Sequence, residues 1–152
     1  MRPLTLSVRN RAPPQATPAT VSALPSAAVQ IAAGGWSSYA MLVDGSVWAW
    51  GYNAWGQLGD GTTTNRLSPV RIEGYGADTA MRLPPGGAYG TMFVVAPDGT
   101  AMGSGENNNG QLGNGESGSG TNVRTAGAIP ELGGGIVEIA RGGGHTLVLK
   151  GE

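Results

Sequence analysis

One segment of this chain occurs twice. Gly51-Tyr52-Asn53-Ala54-Trp55-Gly56-Gln57-Leu58-Gly59-Asp60-Gly61 returns as Gly105-Glu106-Asn107-Asn108-Asn109-Gly110-Gln111-Leu112-Gly113-Asn114-Gly115, each residue 54 positions after its counterpart. A fixed interval of this size marks a propeller or another array of stacked units, and it constrains the architecture before any single side chain is weighed. The interval also holds outside the segment. Asp44-Gly45 maps onto Asp98-Gly99, and Ile31-Ala32-Ala33-Gly34-Gly35 maps two intervals on to Ile139-Ala140-Arg141-Gly142-Gly143. Pro85-Gly86-Gly87-Ala88-Tyr89 is the diverged middle copy of that stretch.

Each copy reads as short strands joined by glycine turns. Tyr39–Val43 is an apolar run closed by Asp44-Gly45, and Ser46–Trp50 follows it; Thr91–Val95, Asp98-Gly99 and Thr100–Met102 repeat the pattern. Two β-prone runs flanking Asp-Gly predict a hairpin with a type I′ turn. Thr146–Leu149 supplies the first strand of a third copy. Pro69–Ile72 and Gly127–Pro130 read as outer strands, where proline leaves no ladder N–H missing. Most of the 28 glycines fall at equivalent positions of the copies, which indicates geometric need. The Gly115–Gly120 run reads instead as a loose surface loop.

The order Ala-x-Gly, an apolar run, Asp-Gly, Trp-x-Trp-Gly-x-Asn, Gly-Gln-Leu-Gly-x-Gly resembles the regulator of chromosome condensation repeat. In the first copy the match is carried by Ala33, Gly34, Ser37, Asp44, Gly45, Trp48, Trp50, Gly51, Asn53, Gly56, Gln57, Leu58, Gly59 and Gly61. The second copy keeps Asp98, Gly99, Gly105, Asn107 and Gly110–Gly113, but has Ser104 where the family has Trp and Thr91 where it has His. The third has His145 at that position. The resemblance implies an all-β fold of four-stranded propeller blades with short, protected edges. It divides the chain into a proline-rich lead-in or remnant of a preceding blade (1–23), two complete repeats (24–77 and 78–131) and a truncated third (132–152). Such an array is an incomplete ring, or one closed by oligomerisation. A piece of a longer propeller, a truncated reading frame and a self-closing protomer all stay open. The lead-in reads as a poor cap for the first repeat.

Chemistry is sparsely represented. The net charge of −1 gives no electrostatic footprint for nucleic acid or an anionic membrane. With no cysteine there is neither a disulfide framework nor a thiolate metal site. No stretch approaches the roughly 18 apolar residues of a spanning helix. No export signal is visible, so a cytoplasmic location is the default and an extracellular one stays open. His145, the single histidine, falls at a family position where the side chain bonds backbone groups between strands. Asp44 and Asp98 sit in turns, where aspartate serves local hydrogen bonding. Asp60-Gly61 with Asn53 lacks the spacing of an acidic calcium loop. We therefore expect no catalytic residues, no metal and no cofactor.

The binding expectation falls on loops. Trp48 and Trp50 alternate along a strand and are assigned to packing between blades. Trp36 and Trp55, with Tyr39 and Tyr52 nearby, are candidates for a partner-binding surface, and Asn107, Asn108 and Asn109 are their counterparts in the second copy. The second copy replaces Trp36 by Gly90, Tyr52 by Glu106 and Trp55 by Asn109. The expected function is a non-enzymatic propeller module for protein–protein interaction. The alternatives are guanine-nucleotide exchange on a small GTPase, which the resemblance implies, and inhibition of a secreted enzyme through loop aromatics.

Overall fold

The computed structural model describes residues 21–75, 80–85 and 90–151. The lead-in up to residue 20 and the diverged stretch 86–89 lie outside the described residues. Among the described residues, nine strands form three antiparallel sheets: β1 (Ala28–Gly34), β2 (Ser37–Leu42), β3 (Val47–Gly51) and β4 (Arg66–Ile72) in the first; β5 (Thr91–Val95), β6 (Ala101–Gly105) and β7 (Val123–Ala128) in the second; β8 (Ile136–Arg141) and β9 (Thr146–Lys150) in the third. Each sheet is a meander in chain order, as expected for propeller blades, and among the described residues no ring is closed. Beside the second sheet, Arg82 forms one bridge to Val95 among the described residues, exchanging backbone bonds of 2.8 and 2.9 Å.

The hairpin turns differ in type from the type I′ expectation. Gly45 N–H donates to Leu42 O and Leu42 N–H to Ser46 O, both at 2.9 Å, which leaves Val43-Asp44-Gly45 as a three-residue loop. Only Gly45 has positive φ (79°); Asp44 does not. This is the type I turn plus glycine bulge, not the two-residue turn that needs φ > 0 twice. Asp44 Oδ1 accepts from the N–H (3.0 Å) and hydroxyl (2.6 Å) of Ser46, and Asp98 does the same for Thr100. That local bonding holds aspartate in ordinary φ and pushes Val43 out of the strand into solvent.

Strand alternation sorts the core into layers. Tyr39 and Met41 point from β2 toward the second sheet, joining Leu58, Met81, Met92, Val94 and Ala126. Phe93 and Val95 point the other way from β5, joining Leu112, Ile136 and Ile139 of the second interface. Ala40, Leu42, Trp48 and Trp50 form the far face of the first sheet, so the two tryptophans do not lie in the interface between the first two sheets. Val21 and Leu24 pack on that face. Of the lead-in (1–23), only residues 21–23 are described, and among them Val21 reaches this cluster. The third sheet is asymmetric in the opposite sense. Leu147 and Leu149, the counterparts of Tyr39 and Met41 two intervals on, are 65% and 57% exposed.

Polar side chains stitch the sheets together across their strand edges. Gln30 donates to Met81 O (2.7 Å) and accepts from Leu83 N–H (2.9 Å). Arg82 donates to the carbonyls of Ile136 (2.7 Å) and Val137, and Arg141 reaches back to Thr91 O (2.7 Å) and Pro84 O (3.0 Å). Burial disfavours the charged Arg141 guanidinium and lowers its pKa. The Gly-Gln-Leu-Gly turn also crosses between sheets. Gly61 N–H donates to Arg124 O (2.9 Å), Ala126 N–H to Gly59 O (3.2 Å), and the hydroxyls of Tyr39 (3.0 Å) and Ser104 (3.4 Å) to Gln57 O.

Candidate functional site

Backbone geometry sets the candidate aromatics side by side. Tyr52 N–H donates to Trp36 O at 3.0 Å, directly after the Ser37–Gly51 pair that ends the β2–β3 ladder. The approach is close enough that a Cβ at residue 51 would stand 2.4 Å from Trp36 O, and φ is +107° there, so glycine is required. Ser37 fixes the same corner by donating its hydroxyl to Tyr52 O (2.7 Å). Two residues later Asn53 clamps the loop. Its Oδ1 accepts from Leu58 N–H (2.9 Å), and its Nδ2 donates to Asp60 Oδ1, Thr62 O and Thr64 O, each at 3.1 Å. Trp55 N–H then donates to Gln57 Oε1 (3.2 Å), which orients the tip.

The outcome is a row of three aromatic rings at one end of the first sheet. Trp36 and Tyr52 meet edge to face (5.4 Å between centroids, 79° between planes), and Tyr52 and Trp55 do likewise (5.2 Å, 72°). Such T-shaped pairs are favourable beyond the area they bury. Trp36 is 58% exposed, and Tyr52 and Trp55 are half-buried.

The repeat variation flagged in the sequence has a steric content. A Cβ at residue 90 would stand 2.9 Å from Trp55 Cε3, so Gly90, the counterpart of Trp36, is what leaves room for the Trp55 ring. Asn109, the counterpart of Trp55, relates to Gly144 in the same way, with Nδ2 3.3 Å from the corresponding point. A bulky tip in one copy thus coincides with glycine at the start of the next copy's strand pair. That coupling was readable as a pattern of substitutions but not as a contact. Sequence reasoning also passed over Glu106 as merely the replacement for Tyr52. Its Oε2 lies 3.0 Å from the same point above Gly90, beside Trp55.

Two candidates require correction. Tyr39 is not a loop residue: it sits within β2, is 1% exposed, and spends its hydroxyl on Gln57 O. Burial pushes that hydroxyl well above the usual tyrosine range. Asn107 is fully buried and does for the second loop what Asn53 does for the first. It accepts from Leu112 N–H (3.0 Å) and donates to Asn114 Oδ1 (2.8 Å) and Glu116 O (3.0 Å). The neighbouring Asn108 and Asn109 are exposed.

Other polar residues are committed to structure. Asp60 pairs with Arg66 (2.7 Å) and accepts from Thr62; burial opposes its ionisation, but these bonds outweigh that and hold its pKa below the ordinary value. His145 is exposed, with its ring over Gly142, and its carbonyl accepts from Gly142 N–H (2.9 Å). The ring bond between strands expected from the family position is therefore not what its surroundings present. Among the described residues no group of three His, Cys, Asp or Glu side chains is placed to hold a metal. No helix among them is long and apolar enough to cross a membrane.

Comparison with known proteins agrees with the repeat fold. Models of the regulator of chromosome condensation (RCC1) repeat match residues 28–57 and 44–82. A human protein named probable E3 ubiquitin-protein ligase HERC6 is 34% identical over 129 residues, covering 80% of this chain and 12% of its own length. The zebrafish (Danio rerio) protein RCC2 homolog is 31% identical over 112 residues, covering 74% of this chain and 22% of its own length. The chain therefore spans less than a quarter of either relative. Among solved structures, Prp20p from Saccharomyces cerevisiae, described with its binding properties to Gsp1p and histones, superposes with a TM-score of 0.71. It is 17% identical, and the match covers 89% of this chain and 34% of Prp20p.

Proposed function

The chain is an array of RCC1 repeats folded as successive propeller-like blades, and from that premise we propose that it is a non-enzymatic module that binds protein through one rim of the array. The observation that carries the reading is the Trp36–Tyr52–Trp55 row. The loops that bear it are held by buried amides and tight backbone bonds, while Trp36 is 58% exposed. Rigid aromatics presented by loops are favoured contact residues, because they bring area at low conformational cost.

A second reading is supported by the likeness to Prp20p and by the repeat itself. In it the bound protein is a small GTPase, and the module, as part of a larger propeller, promotes nucleotide release. Both readings need the same kind of contact and differ in its consequence.

Site-specific photo-crosslinking tests the shared part. A photoreactive phenylalanine analogue replaces Trp36 in one variant and Val43 in another; Val43 is comparably exposed, at the opposite end of β2. Discrete protein adducts from position 36 and none from position 43 are expected. Identical patterns from both positions contradict the proposal. Release of labelled nucleotide from a panel of small GTPases then separates the second reading from the first.

A further inference from the structure

We propose that Asn114 is a self-modification site, at which the chain deamidates through a cyclic imide formed with the Gly115 nitrogen. Asn-Gly and Asp-Gly pairs are open to this reaction because glycine has no Cβ to obstruct ring closure. The chain has five such pairs: Asp44-Gly45, Asp60-Gly61, Asp98-Gly99, Asn109-Gly110 and Asn114-Gly115. In the first four the glycine N–H, whose nitrogen must attack, donates a 2.9 Å bond, to Leu42 O, Arg124 O, Ala96 O and Asn107 O in turn. Gly115 differs. Among the described residues its N–H makes no hydrogen bond, and the glycine is exposed. Its counterpart Gly61 is held by Arg124 on β7 of the following sheet. The third sheet, formed by β8 and β9 among the described residues, brings no equivalent carbonyl to Gly115.

The side chain under attack is also prepared. Asn114 Oδ1 accepts from Asn107 Nδ2 (2.8 Å) and from Glu116 N–H (3.2 Å). The second bond folds the amide back over the Gly115 peptide. Both donors face the oxygen on which negative charge develops when a nitrogen adds to Cγ, and that placement stabilises a tetrahedral intermediate. Among the described residues Asn114 Nδ2, the leaving nitrogen, makes no hydrogen bond. The Gly115 nitrogen gives its proton to hydroxide and bonds to Asn114 Cγ, and the side-chain nitrogen departs as ammonia. Water then opens the imide at either carbonyl. Cleavage at Cγ leaves aspartate in a normal backbone; cleavage at the backbone carbonyl leaves isoaspartate, with the chain routed through Cβ and Cγ.

The two products act differently on the second loop. Aspartate reproduces the first copy, where Asp60 Oδ1 accepts from Asn53 Nδ2 (3.1 Å). Gly120, however, stands where the first copy has Arg66, the partner of Asp60, so the new carboxylate lacks that cation. Isoaspartate adds one atom to the backbone and displaces the oxygen that Asn107 binds. It thereby loosens the clamp on the second Gly-Gln-Leu-Gly turn.

The test ages the full chain in mildly alkaline buffer, once natively and once in concentrated urea. Peptide mapping by mass spectrometry follows conversion of amide to acid at Asn109 and Asn114, with aspartate and isoaspartate both counted as product. We expect native conversion at Asn114 to be about tenfold faster than at Asn109, the factor that one ordinary hydrogen bond on the attacking nitrogen supplies. Urea should erase the difference by speeding Asn109 while leaving Asn114 no faster than in the native chain. Equal native rates, a faster Asn109, or an Asn114 site that urea accelerates as much as Asn109 overturns the proposal.

Discussion

Asn53 and Leu58 are joined by a 2.9 Å bond from the leucine N–H to the buried asparagine Oδ1, and Asn107 and Leu112 repeat it at 3.0 Å. The amide thus spans the Gly-Gln-Leu turn of each copy and aims the leucine into the interface with the following sheet. Removing it leaves buried backbone groups unsatisfied. Asn53→Ala and Asn107→Ala should each lose about 1–3 kcal/mol in urea unfolding. Asn108→Ala, at the next residue but exposed, should stay within about 0.5 kcal/mol of the parent. Equal effects at 107 and 108 would contradict the assignment of Asn107 to structure.

Leu58 is the turn's contribution to the core between the first two sheets. Leu58→Ala should cost about 2–5 kcal/mol through lost burial and a residual cavity. Leu58→Asp places an unpaired charge there and should abolish the cooperative transition, read by circular dichroism on heating. A parent-like melt for the aspartate variant would refute inter-sheet packing by this turn.

Stability should fall at both ends of the pH scale, for separate reasons. Asp44 is held below its ordinary pKa chiefly by the Ser46 hydroxyl, and Asp98 chiefly by the Thr100 N–H. For Asp60, burial works in the opposite direction but is outweighed by Thr62 and Arg66. A depressed folded-state pKa gives stability that is complete above the unfolded value of about 3.9 and lost as pH falls through the folded one. Urea midpoints should therefore drop below about pH 4, and Asp60→Asn should be weaker at neutrality with a flatter acid limb. Tyr39 and Tyr75 have hydroxyls raised by burial, so their contribution is complete below about pH 10 and lost above it. An acid limb unchanged by Asp60→Asn would remove that carboxylate from the account.

Leu149 on β9 and Met41 on β2 occupy equivalent positions in opposite circumstances, since Met41 is covered by the second sheet and Leu149 is exposed. Met41→Ser should destabilise by about 2–5 kcal/mol, whereas Leu149→Ser should change stability by about 0.5 kcal/mol or less. An exposed apolar pair such as Leu147 and Leu149 is also a route to association, so Leu149→Ser should lower concentration-dependent mass in light scattering. If mass and its concentration dependence were unaltered, that face would play no part in self-contact.

Much of this architecture is legible from the 54-residue interval, because strands, turns and interface residues recur in register. The hairpin turn type was not, since Asp-Gly suits two turn geometries and the choice lies in a bond from Ser46 that spacing does not reveal. Loop aromatics were identifiable as a class, but Tyr39 belongs to a strand and Asn107 to a buried clamp. Their periodic counterparts, Phe93 and Asn53, are likewise buried. Glu106 escaped notice because its relevance is a position beside Trp55, reached across the junction between copies.

The stacking of the first two sheets, on which the aromatic rim depends, is tested most directly by amide hydrogen exchange at Gly61 and Ala126. Gly61 is exposed, yet its N–H is bonded to Arg124 O across the junction, and Ala126 N–H is bonded to Gly59 O. Both amides should exchange at rates set by opening of the junction, far slower than an unstructured glycine, and Leu58→Ala should speed them together. If the Gly61 amide exchanged at the unstructured rate while the β2–β3 ladder stayed protected, the sheets would not be stacked as described.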